Sequence, residues 1–402
     1  MSLKVVHLNA SSSGGAFQVA QRLHLEMRNQ GLDSHHIVLS GPPSEAYTIW
    51  ADTLLKRMYV LFLHVLEKLD FLRFDRNKIL RFKFSHGLTG VNILKHPLVK
   101  DADIIHLHWI NKGYISITGI KEIVKSSKKI VWTSHDLWPY SGGWYHLESE
   151  YLGSASVGNG LVKLSNKVKI QQESIWGSGQ IQFIAPSIWL ANRAKSLMPD
   201  VKVKVIPNGL DIHKFRPDIK PNLREKLGFS EDAFILVFSA SNLKDSNKNI
   251  GDFVKIVNFL AKKDGNIGVI IIGSRAVELD IDKEVITYFT GYVEEVDELI
   301  SYYAISNAYV TTSLMETFPT TIMESLTCKL PAYGYKVGGV PEMIGEDYLS
   351  ERGDWESLAS KILHFKHLSN AINIREALLE KAREKYDIQS IAMHVIELYS
   401  ED

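Results

Sequence analysis

Two glutamates in the stretch TTSLMETFPTTIMESL have types and a spacing that can do chemistry. Glu316 follows an apolar, strand-like run, and Glu324 comes eight residues later. Pro319 between them suits the first turn of a helix, because its missing N–H would have no partner there. A helix that begins here directs free N–H groups and the positive end of its dipole at an anion such as phosphate. The two carboxylates can also accept hydrogen bonds from sugar hydroxyl groups, so the stretch favours a ligand that contains a sugar, a diphosphate and a nucleoside. The simpler alternative is a helix with a solvated glutamate.

Two further stretches of the second half can approach the same ligand. ASNLKDSNKNIGDF follows an apolar strand and contains Lys244 and Lys248, whose charges can neutralise a diphosphate leaving group. YGYKVGGVPEMI contains Gly338 and Gly339 before a proline, which indicates a tight turn that lets the backbone approach a ligand. A surface lysine is usually only solvated, so Lys244 and Lys248 indicate a ligand site only in combination with the two glutamates.

The first half carries two other candidate segments. LNASSSGGAFQVAQRLH places Gly14 and Gly15 between a strand and a helix; it lacks a complete dinucleotide fingerprint and indicates only phosphate or sugar near a helix start. WTSHDLWPYSGGWYH places His135 and Asp136 directly after a strand, followed by an aromatic loop. Aromatic faces with small residues suit a sugar acceptor, and His135 can exchange protons near neutral pH or be structural.

The sequence gives little sign of a metal site. His106 and His108 lie on the same face of a strand, but no third ligand is near them in sequence. Asp101–Asp103 precedes a strand, at the wrong edge of the sheet for a ligand, and Asp280–Asp282 lies in a charged turn. We therefore expect no metal and no other cofactor.

Composition bounds the class of protein. A chain of 402 residues exceeds one ordinary core, so two domains are expected. Its 46 basic and 46 acidic residues give a formal charge of zero, which argues against a nucleic-acid binder. The single cysteine, Cys328, and an amino terminus that reads as a strand rather than a signal favour the cytoplasm. No apolar run is long enough to span a membrane.

Residues 54–84 are the exception to this neutral pattern. They mix apolar side chains with eight Lys/Arg and three acidic residues, as in segments that lie on an anionic membrane surface. The alternative is a pair of helices packed on the first domain, with solvated basic groups. The sequence thus allows a peripheral position at the inner membrane face.

Apolar runs alternate with helical segments in two successive sets, which predicts an α/β fold of two doubly wound, Rossmann-like domains. The predicted strands are 4–9, 35–39, 103–109, 129–134 and 181–185, then 234–240, 269–273, 287–291, 308–312 and 330–335. Five prolines within 186–221 mark the seam between the sets. Ligands of such sheets bind beyond the carboxyl ends of the strands. The last segment is predicted to be an amphipathic helix.

Several motifs together resemble family 4 glycosyltransferases, retaining enzymes of the GT-B fold. They are ETFPTTIMES, with the E-x7-E spacing of Glu316 and Glu324, YKVGGVPEMI, VIPNGLDIHKFRP and APSIWLANRAKSL. TSHDLWP is similar to a branch that builds bacterial surface polysaccharides. The resemblance implies an acceptor-binding domain at 1–187, to which a helix at 386–402 returns, and a nucleotide-sugar-binding domain at 188–385.

The resemblance also implies roles for individual residues. Glu324 would hold the ribose hydroxyls, and Lys248 the phosphate charge. The catalytic set would be Glu316, His135 and Lys248. The donor would be bound by Gly15, Lys244, Lys248, Tyr292, Val293, Glu316, Thr317, Phe318, Pro319, Thr320 and Glu324. The acceptor, a glycan or lipid-linked sugar, would be bound by His135, Asp136, Trp138 and Trp144.

One position departs from the family pattern. The family usually has an arginine about five residues before its phosphate-binding lysine, and here Leu243 stands at that spacing. Either Lys244 or Arg275 substitutes for it, or the leaving group is stabilised less. Two alternatives to a transferase stay open at this stage: a nucleotide-sugar epimerase on the same fold, and a non-catalytic nucleotide- or glycan-binding relative.

Overall fold

The computed structural model describes residues 3–77, 80–146, 157–176, 179–217, 222–273 and 278–401. The chain forms two compact units, Met1–Gly209 with Ile388–Asp402, and Leu210–Asp387. Residues 188–209, assigned from the sequence to the second domain, group with the first unit. The reason is that they contain a strand that pairs with the first sheet.

The first unit is built on a parallel sheet of seven strands. They are β1 Lys4–Ser11, β2 Asp33–Ser40, β3 Thr48–Ile49, β4 Ile104–Leu107, β5 Lys129–Thr133, β6 Ile181–Ala185 and β7 Lys202–Val205. Their order is β3-β2-β1-β4-β5-β6-β7. In this register His7 of β1 lies beside His36 on one side and His106 on the other. The central strands are buried on both faces, as expected for a sheet covered by helices on each side.

Helices connect these strands. They are α1 Gly15–Asn29, α2 Leu54–Phe71, α3 Leu80–Lys83, α4 Pro97–Asp101, α5 Ile117–Val124, α6 Asn159–Trp176 and α7 Ile188–Leu197, with a 3-10 turn at Ile93–Lys95. Side-chain caps begin α2, α5 and α7, where Thr53, Ser116 and Ser187 each accept a backbone N–H of the first turn.

The second unit repeats the architecture with six parallel strands. They are β8 Phe234–Ala240, β9 Ile267–Gly273, β10 Ile286–Gly291, β11 Ala308–Thr311, β12 Ala332–Tyr335 and β13 Leu349–Ser350, in the order β10-β9-β8-β11-β12-β13. The helices are α8 Leu223–Lys226, α9 Ile250–Asp264, α10 Val296–Ala304, α11 Thr320–Thr327, α12 Trp355–Lys366 and α13 Ala371–Tyr386, with 3-10 turns at Val340–Glu342 and Glu346–Tyr348. Two doubly wound α/β units are therefore confirmed.

The last helix, α14 Ile388–Ser400, belongs to the first unit. Its apolar face packs Ile391 and Val395 into a core cluster with Val5 of β1 and Leu23 of α1. Near its end, the Tyr399 hydroxyl lies 2.5 Å from Nδ1 of buried His106. Among the described residues, no helix combines the length and apolarity that crossing a bilayer requires.

Candidate active site

A lysine and a glutamate meet where the neighbouring strands β8 and β11 end. Lys248 Nζ lies 2.5 Å from Glu316 Oε1, and their side chains are 30% and 14% exposed. Burial alone would lower the pKa of Lys248, but the charge and hydrogen bond of Glu316 outweigh it and raise that pKa. Lys248 is thus held as a cation that a ligand can still reach.

Backbone and side-chain bonds hold the two loops together. The Leu314 N–H donates to the Asn247 carbonyl at 2.8 Å, and Asn247 Nδ2 donates to the Met315 carbonyl at 2.9 Å. Thr312 Oγ1 donates to the Asn249 carbonyl at 2.8 Å. Because these bonds flank Lys248 and precede Glu316, the contact between the two is built into the loops rather than left to flexible side chains.

Gly338, in the turn after β12, supports Glu316 from the other side. Its φ is +54°, and a Cβ placed there would lie 1.6 Å from the Glu316 carbonyl oxygen. The Gly339 N–H donates to the same carbonyl at 3.1 Å. The tight turn predicted here exists, and it holds the backbone of Glu316.

The helix predicted to begin at Pro319 is α11, with Pro319 as its N-cap residue. Glu324 is 5% exposed on this helix and lies near Tyr303, where its charge, after burial, contributes to raising the tyrosine pKa. At the first turn the Tyr309 hydroxyl donates to Thr321 Oγ1 at 2.8 Å. The amino end of α11 therefore lies beside polar groups at the carboxyl edge of the sheet.

The other residues of the E-x7-E segment are buried or half-buried, so several of them contribute to the core through their side chains. Thr317 is buried, and Phe318 packs edge-on against Tyr386 with ring centroids 5.9 Å apart. The Phe318 side chain thus anchors the loop, and only its backbone is placed to meet a ligand. Thr320 opens α11 and is half-buried.

The position of the expected arginine is occupied by a core residue. Leu243 is 2% exposed within the apolar cluster of the second unit, so it cannot approach a phosphate. Lys244 next to it is exposed, and Arg275, the other suggested substitute, lies outside the described residues. Tyr292 and Val293 follow the end of β10, with Tyr292 58% exposed after Gly291 at φ +76°.

In the first unit a row of imidazoles runs to the end of β5. His7 Nδ1 lies 3.1 Å from His108 Nε2, and His108 Nδ1 lies 3.2 Å from His135 Nε2. Burial lowers the pKa of His135 to about 4 and that of His7 and His108 well below the ordinary value. The sequence singled out His135 and, separately, His108, but not His7. The row itself could not be predicted, because its members come from three different segments of the chain.

These histidines raise the question of a metal. Nitrogens of His7, His106 and His108 lie within 4.8 Å of one another, so β1 supplies the third imidazole that the local sequence lacked. However, the rings of His106 and His108 are stacked at 22°, and in-plane lone pairs of nearly parallel rings do not converge on one ion. His106 is also occupied at both nitrogens, by Tyr399 and Thr133. These three side chains fit packed neutral imidazoles; the absence of a metal cofactor stays a prediction.

Asp136 follows His135 and is held by two N–H donors. Trp109 Nε1 donates to its Oδ2 at 3.1 Å, and the Trp138 backbone donates to its Oδ1 at 2.9 Å. Burial nevertheless raises the pKa of Asp136 to about 7. A carboxyl group that titrates near neutral pH beside a cavity is a candidate for proton transfer.

That cavity has a volume of about 560 Å³ and lies within the first unit. We call it the basic cavity, because Lys68, Arg81 and Lys112 line it together with Trp109 and Asp136. Its size is typical of small-molecule sites. The sequence did not reveal it as a pocket: its cations come from α2, α3 and the loop after β4, and only the basic character of 54–84 was visible.

Two residues expected to bind the acceptor are core residues. Trp138 is 1% exposed and donates its indole N–H to the Ser85 carbonyl at 2.8 Å. Trp144 is 5% exposed and donates to Ser165 Oγ at 3.1 Å. Neither lines the basic cavity, because the aromatic loop folds inward and uses both indoles for packing. Gly15, the first residue of α1, has open space around its Cα.

Comparison with known proteins assigns the family. The Glycosyltransferase Family 4 profile matches residues 13–214, half of the chain, and the Glycosyl transferases group 1 profile matches residues 219–385. N-acetyl-alpha-D-glucosaminyl L-malate synthase of Bacillus anthracis is 25% identical over 300 residues, 71% of this chain and 72% of that protein. Capsular polysaccharide biosynthesis glycosyltransferase CapM of Staphylococcus aureus is 25% identical over 189 residues, 45% of this chain and about half (48%) of its own length.

Solved structures share the fold along the whole chain. Sucrose-phosphate synthase from Thermosynechococcus elongatus superposes with a TM-score of 0.71 at 15% identity, covering 99% of this chain and 98% of that one. WaaG, a glycosyltransferase involved in lipopolysaccharide biosynthesis, gives 0.63 at 13% identity, covering 99% and 100%. The profile match over half of the chain and this shared architecture show that the protein belongs to glycosyltransferase family 4 and has the GT-B fold.

Proposed function

We propose that this glycosyltransferase is a retaining, metal-independent enzyme. It moves a hexose-type sugar from a nucleotide-sugar donor to a glycan or lipid-linked acceptor in cell-surface polysaccharide biosynthesis. The observation that carries the proposal is the Lys248–Glu316 contact at the carboxyl ends of β8 and β11, next to the amino end of α11. A fixed cation, a carboxylate and free helix N–H groups at a sheet edge together suit a sugar diphosphate.

In the proposed reaction the protein supplies charge and orientation. Lys248 and the first amides of α11 stabilise the diphosphate as its bond to the sugar carbon breaks. The acceptor oxygen forms its new bond to that carbon from the same face, and its proton passes to the leaving diphosphate. Glu316 orients the donor sugar rather than attacking it, and Glu324 accepts hydrogen bonds from the ribose.

The first experiment is a thermal-stability screen against UDP-, GDP-, ADP- and CMP-sugars, each with and without EDTA. A ligand that binds the folded state raises its Tm. UDP-glucose is tested first, because Anabaena Alr3699/HepE, which shares the fold with a TM-score of 0.64 at 15% identity over 99% of each chain, was solved in complex with it. We expect one nucleotide to raise Tm equally with and without EDTA.

The other outcomes separate the alternatives. No shift with any donor would contradict the proposed donor site. Tight binding without turnover on any acceptor would support a non-catalytic relative, which the buried Leu243 at the arginine position favours. An interconverted sugar in a donor-only assay, without release of nucleotide, would support an epimerase.

We also propose that the enzyme works at the inner face of a membrane, through α2. The simpler expectation was that 54–84 packs on the first domain, but α2 buries only Leu63 and Phe71. Nine of its apolar side chains are at least 40% exposed: Leu54, Leu55, Met58, Tyr59, Leu61, Phe62, Val65, Leu66 and Leu69. Apolar side chains flanked by Lys and Arg suit an anionic lipid surface.

Vesicle sedimentation tests this contact. We expect binding to phosphatidylglycerol vesicles but not to phosphatidylcholine vesicles, and loss of binding in the Leu55→Gln/Phe62→Gln variant. Val162→Gln/Ile170→Gln is the matched control, because these side chains are also exposed (39% and 66%) but lie on α6. Equal sedimentation of both variants would contradict the assignment to α2.

A further inference from the structure

The basic cavity is lined by lysines that lack a carboxylate partner among the described residues. Lys68 and Lys112 both line it, and within the described part of the chain neither forms an ion pair with a carboxylate. Desolvation, and after it the charge of Lys68, lowers the pKa of Lys112. Arg81 Nε is buried and, among those same residues, has no hydrogen-bond partner.

The carboxylates in the same wall already have partners. Glu67 accepts hydrogen bonds from Ser85 Oγ at 2.5 Å and from Thr89 Oγ1 at 3.3 Å. Asp136 is held by Trp109 and by a backbone N–H. Glu67 and Asp136 line the cavity, but among the described residues neither forms an ion pair with Lys68 or Lys112. The two ammonium groups repel each other, so an added anion can still bind them favourably.

Aromatic faces accompany these cations. Lys68 Nζ and the Arg81 guanidinium each lie 5.4 Å from the ring centre of Phe82, and Lys112 Nζ lies 5.0 Å from that of Trp109. Lys112 also holds a φ of 59°, which non-glycine residues rarely adopt. The cavity therefore offers fixed positive charge next to rings on which a sugar can pack.

The same helix carries both the cavity wall and the exposed apolar face. Lys68 lines the cavity from α2, and Leu66 and Leu69 beside it are 40% and 57% exposed. A ligand that satisfies this arrangement has an anionic group for the cavity and an apolar tail for the face of α2. A free sugar has neither, and an inorganic phosphate lacks the tail.

We propose that the basic cavity binds the phosphate or diphosphate of an amphiphilic acceptor, in which a lipid phosphate carries the sugar to be extended. The inference rests on the proposed transferase function and names its acceptor class. Lys68, Arg81 and Lys112 bind the anion, and Trp109 packs on the sugar. Asp136, at the same cavity, is then close enough to the acceptor to orient its hydroxyl.

Calorimetry with small probes, below their aggregation limits and with donor nucleotide saturating, tests the inference. We expect farnesyl diphosphate to bind more tightly than inorganic pyrophosphate, and octyl glucoside to bind weakly. The Lys68→Gln/Lys112→Gln variant loses about tenfold or more in affinity for farnesyl diphosphate, because two charge-assisted contacts are removed. Lys163→Gln/Lys167→Gln, two exposed lysines of α6, is the matched control and leaves binding unchanged.

Each other result overturns a defined part of the inference. Equal affinity for farnesyl diphosphate and pyrophosphate would indicate a free phosphate rather than a lipid phosphate. Unchanged affinity in Lys68→Gln/Lys112→Gln, or no binding at all, would refute the anion site. Donor binding is measured on the same samples: if it persists while the probe fails, only the acceptor class is wrong, and if no donor binds, the proposed function fails by itself.

Discussion

At the residue scale, Glu316 is the side chain whose charge the proposed reaction needs most. Replacing it with glutamine keeps its size but removes the charge that raises the Lys248 pKa. We expect Glu316→Gln to lower kcat about 100-fold, typical of removing one charge-stabilising group, while nucleotide affinity changes little. Steady-state kinetics and calorimetry measure the two quantities. Glu346→Gln is the control, since Glu346 also pairs with a lysine, Lys336, but is 73% exposed; full turnover in Glu316→Gln would refute the role.

The imidazole row fixes a proton position at His135. A neutral imidazole donates through one nitrogen and accepts through the other, so the row His7, His108, His135 can run in either direction. His7 Nε2 is buried without a hydrogen-bond partner among the described residues. An orphaned N–H is costlier there than a bare lone pair, so His7 carries its proton on Nδ1 and donates to His108. His108 then donates from Nδ1, and His135 presents its own Nδ1–H.

Nitrogen-15 NMR of the histidine side chains measures this directly. We expect His135 to show a protonated Nδ1 and an unprotonated Nε2, and to stay neutral at pH 6 because burial lowers its pKa to about 4. The His7→Leu variant removes the donor at the start of the row and frees His108 and His135 to change tautomer. A protonated Nε2 in the wild-type protein would show that the row runs the other way.

At the element scale, the turn after β12 keeps Glu316 in place. In Gly338→Ala the new Cβ meets the Glu316 carbonyl, so the backbone must move. We expect more than about 3 kcal/mol of lost stability together with loss of turnover. Gly353→Ala is the matched control: its φ is +84° with open space around the Cα, so it costs only about 1–2 kcal/mol of conformational strain. Equal effects of the two on turnover would contradict the supporting role of the turn.

The elements that sequence reasoning found are those with strong local signals. All ten predicted strands exist, because each is a short run rich in apolar or aromatic residues between helical segments or turns. β3 and β13 were missed because two residues carry no periodicity, and β7 because its KVKV sequence alternates with lysines and is mostly exposed. Pairing of β7 with β6, a long-range contact, places it in the first unit.

Some residues of the candidate site could be predicted from the sequence, and others could not. The E-x7-E segment and Lys248 could be suggested from sequence, because each follows a strand that ends at one sheet edge. The burial of Trp138 and Trp144 could not be predicted, because an aromatic loop has the same composition whether it binds a sugar or fills a core. The basic cavity could not be predicted from the sequence either, because Lys68, Arg81 and Lys112 come together only in the tertiary structure.

For the molecule as a whole, we expect folding stability to depend strongly on pH in the acidic range, although the formal charge is zero. Among the described residues, burial lowers the pKa values of nine histidines of the first unit, and most strongly those of six: His7, His24, His36, His106, His108 and His135. Their folded pKa values lie below the unfolded value of 6.5, so the unfolded chain binds more protons. Stability from these groups is therefore present above pH 6.5 and is lost as pH falls toward about 3.

Asp136 acts in the opposite sense. Its folded pKa of about 7 lies above the unfolded value of 3.8, so between these values the folded chain binds the extra proton and loses stability as pH rises. On unfolding, Asp136 releases about one proton, whereas these six histidines take up as many as six. At pH 5 these seven groups together take up about five protons on unfolding, and each proton changes stability by about 1.4 kcal/mol per pH unit.

Proton uptake on unfolding in urea, followed in unbuffered solution at pH 5, tests this without assuming that the two units unfold together. We expect a net uptake of about five protons from these groups. Asp136→Asn raises the uptake by about one proton and His24→Gln lowers it by about one, so the double variant returns to about the wild-type value. A wild-type uptake of two protons or fewer would mean that these imidazoles are already charged in the fold, and the neutral row ending at His135 would fail with them.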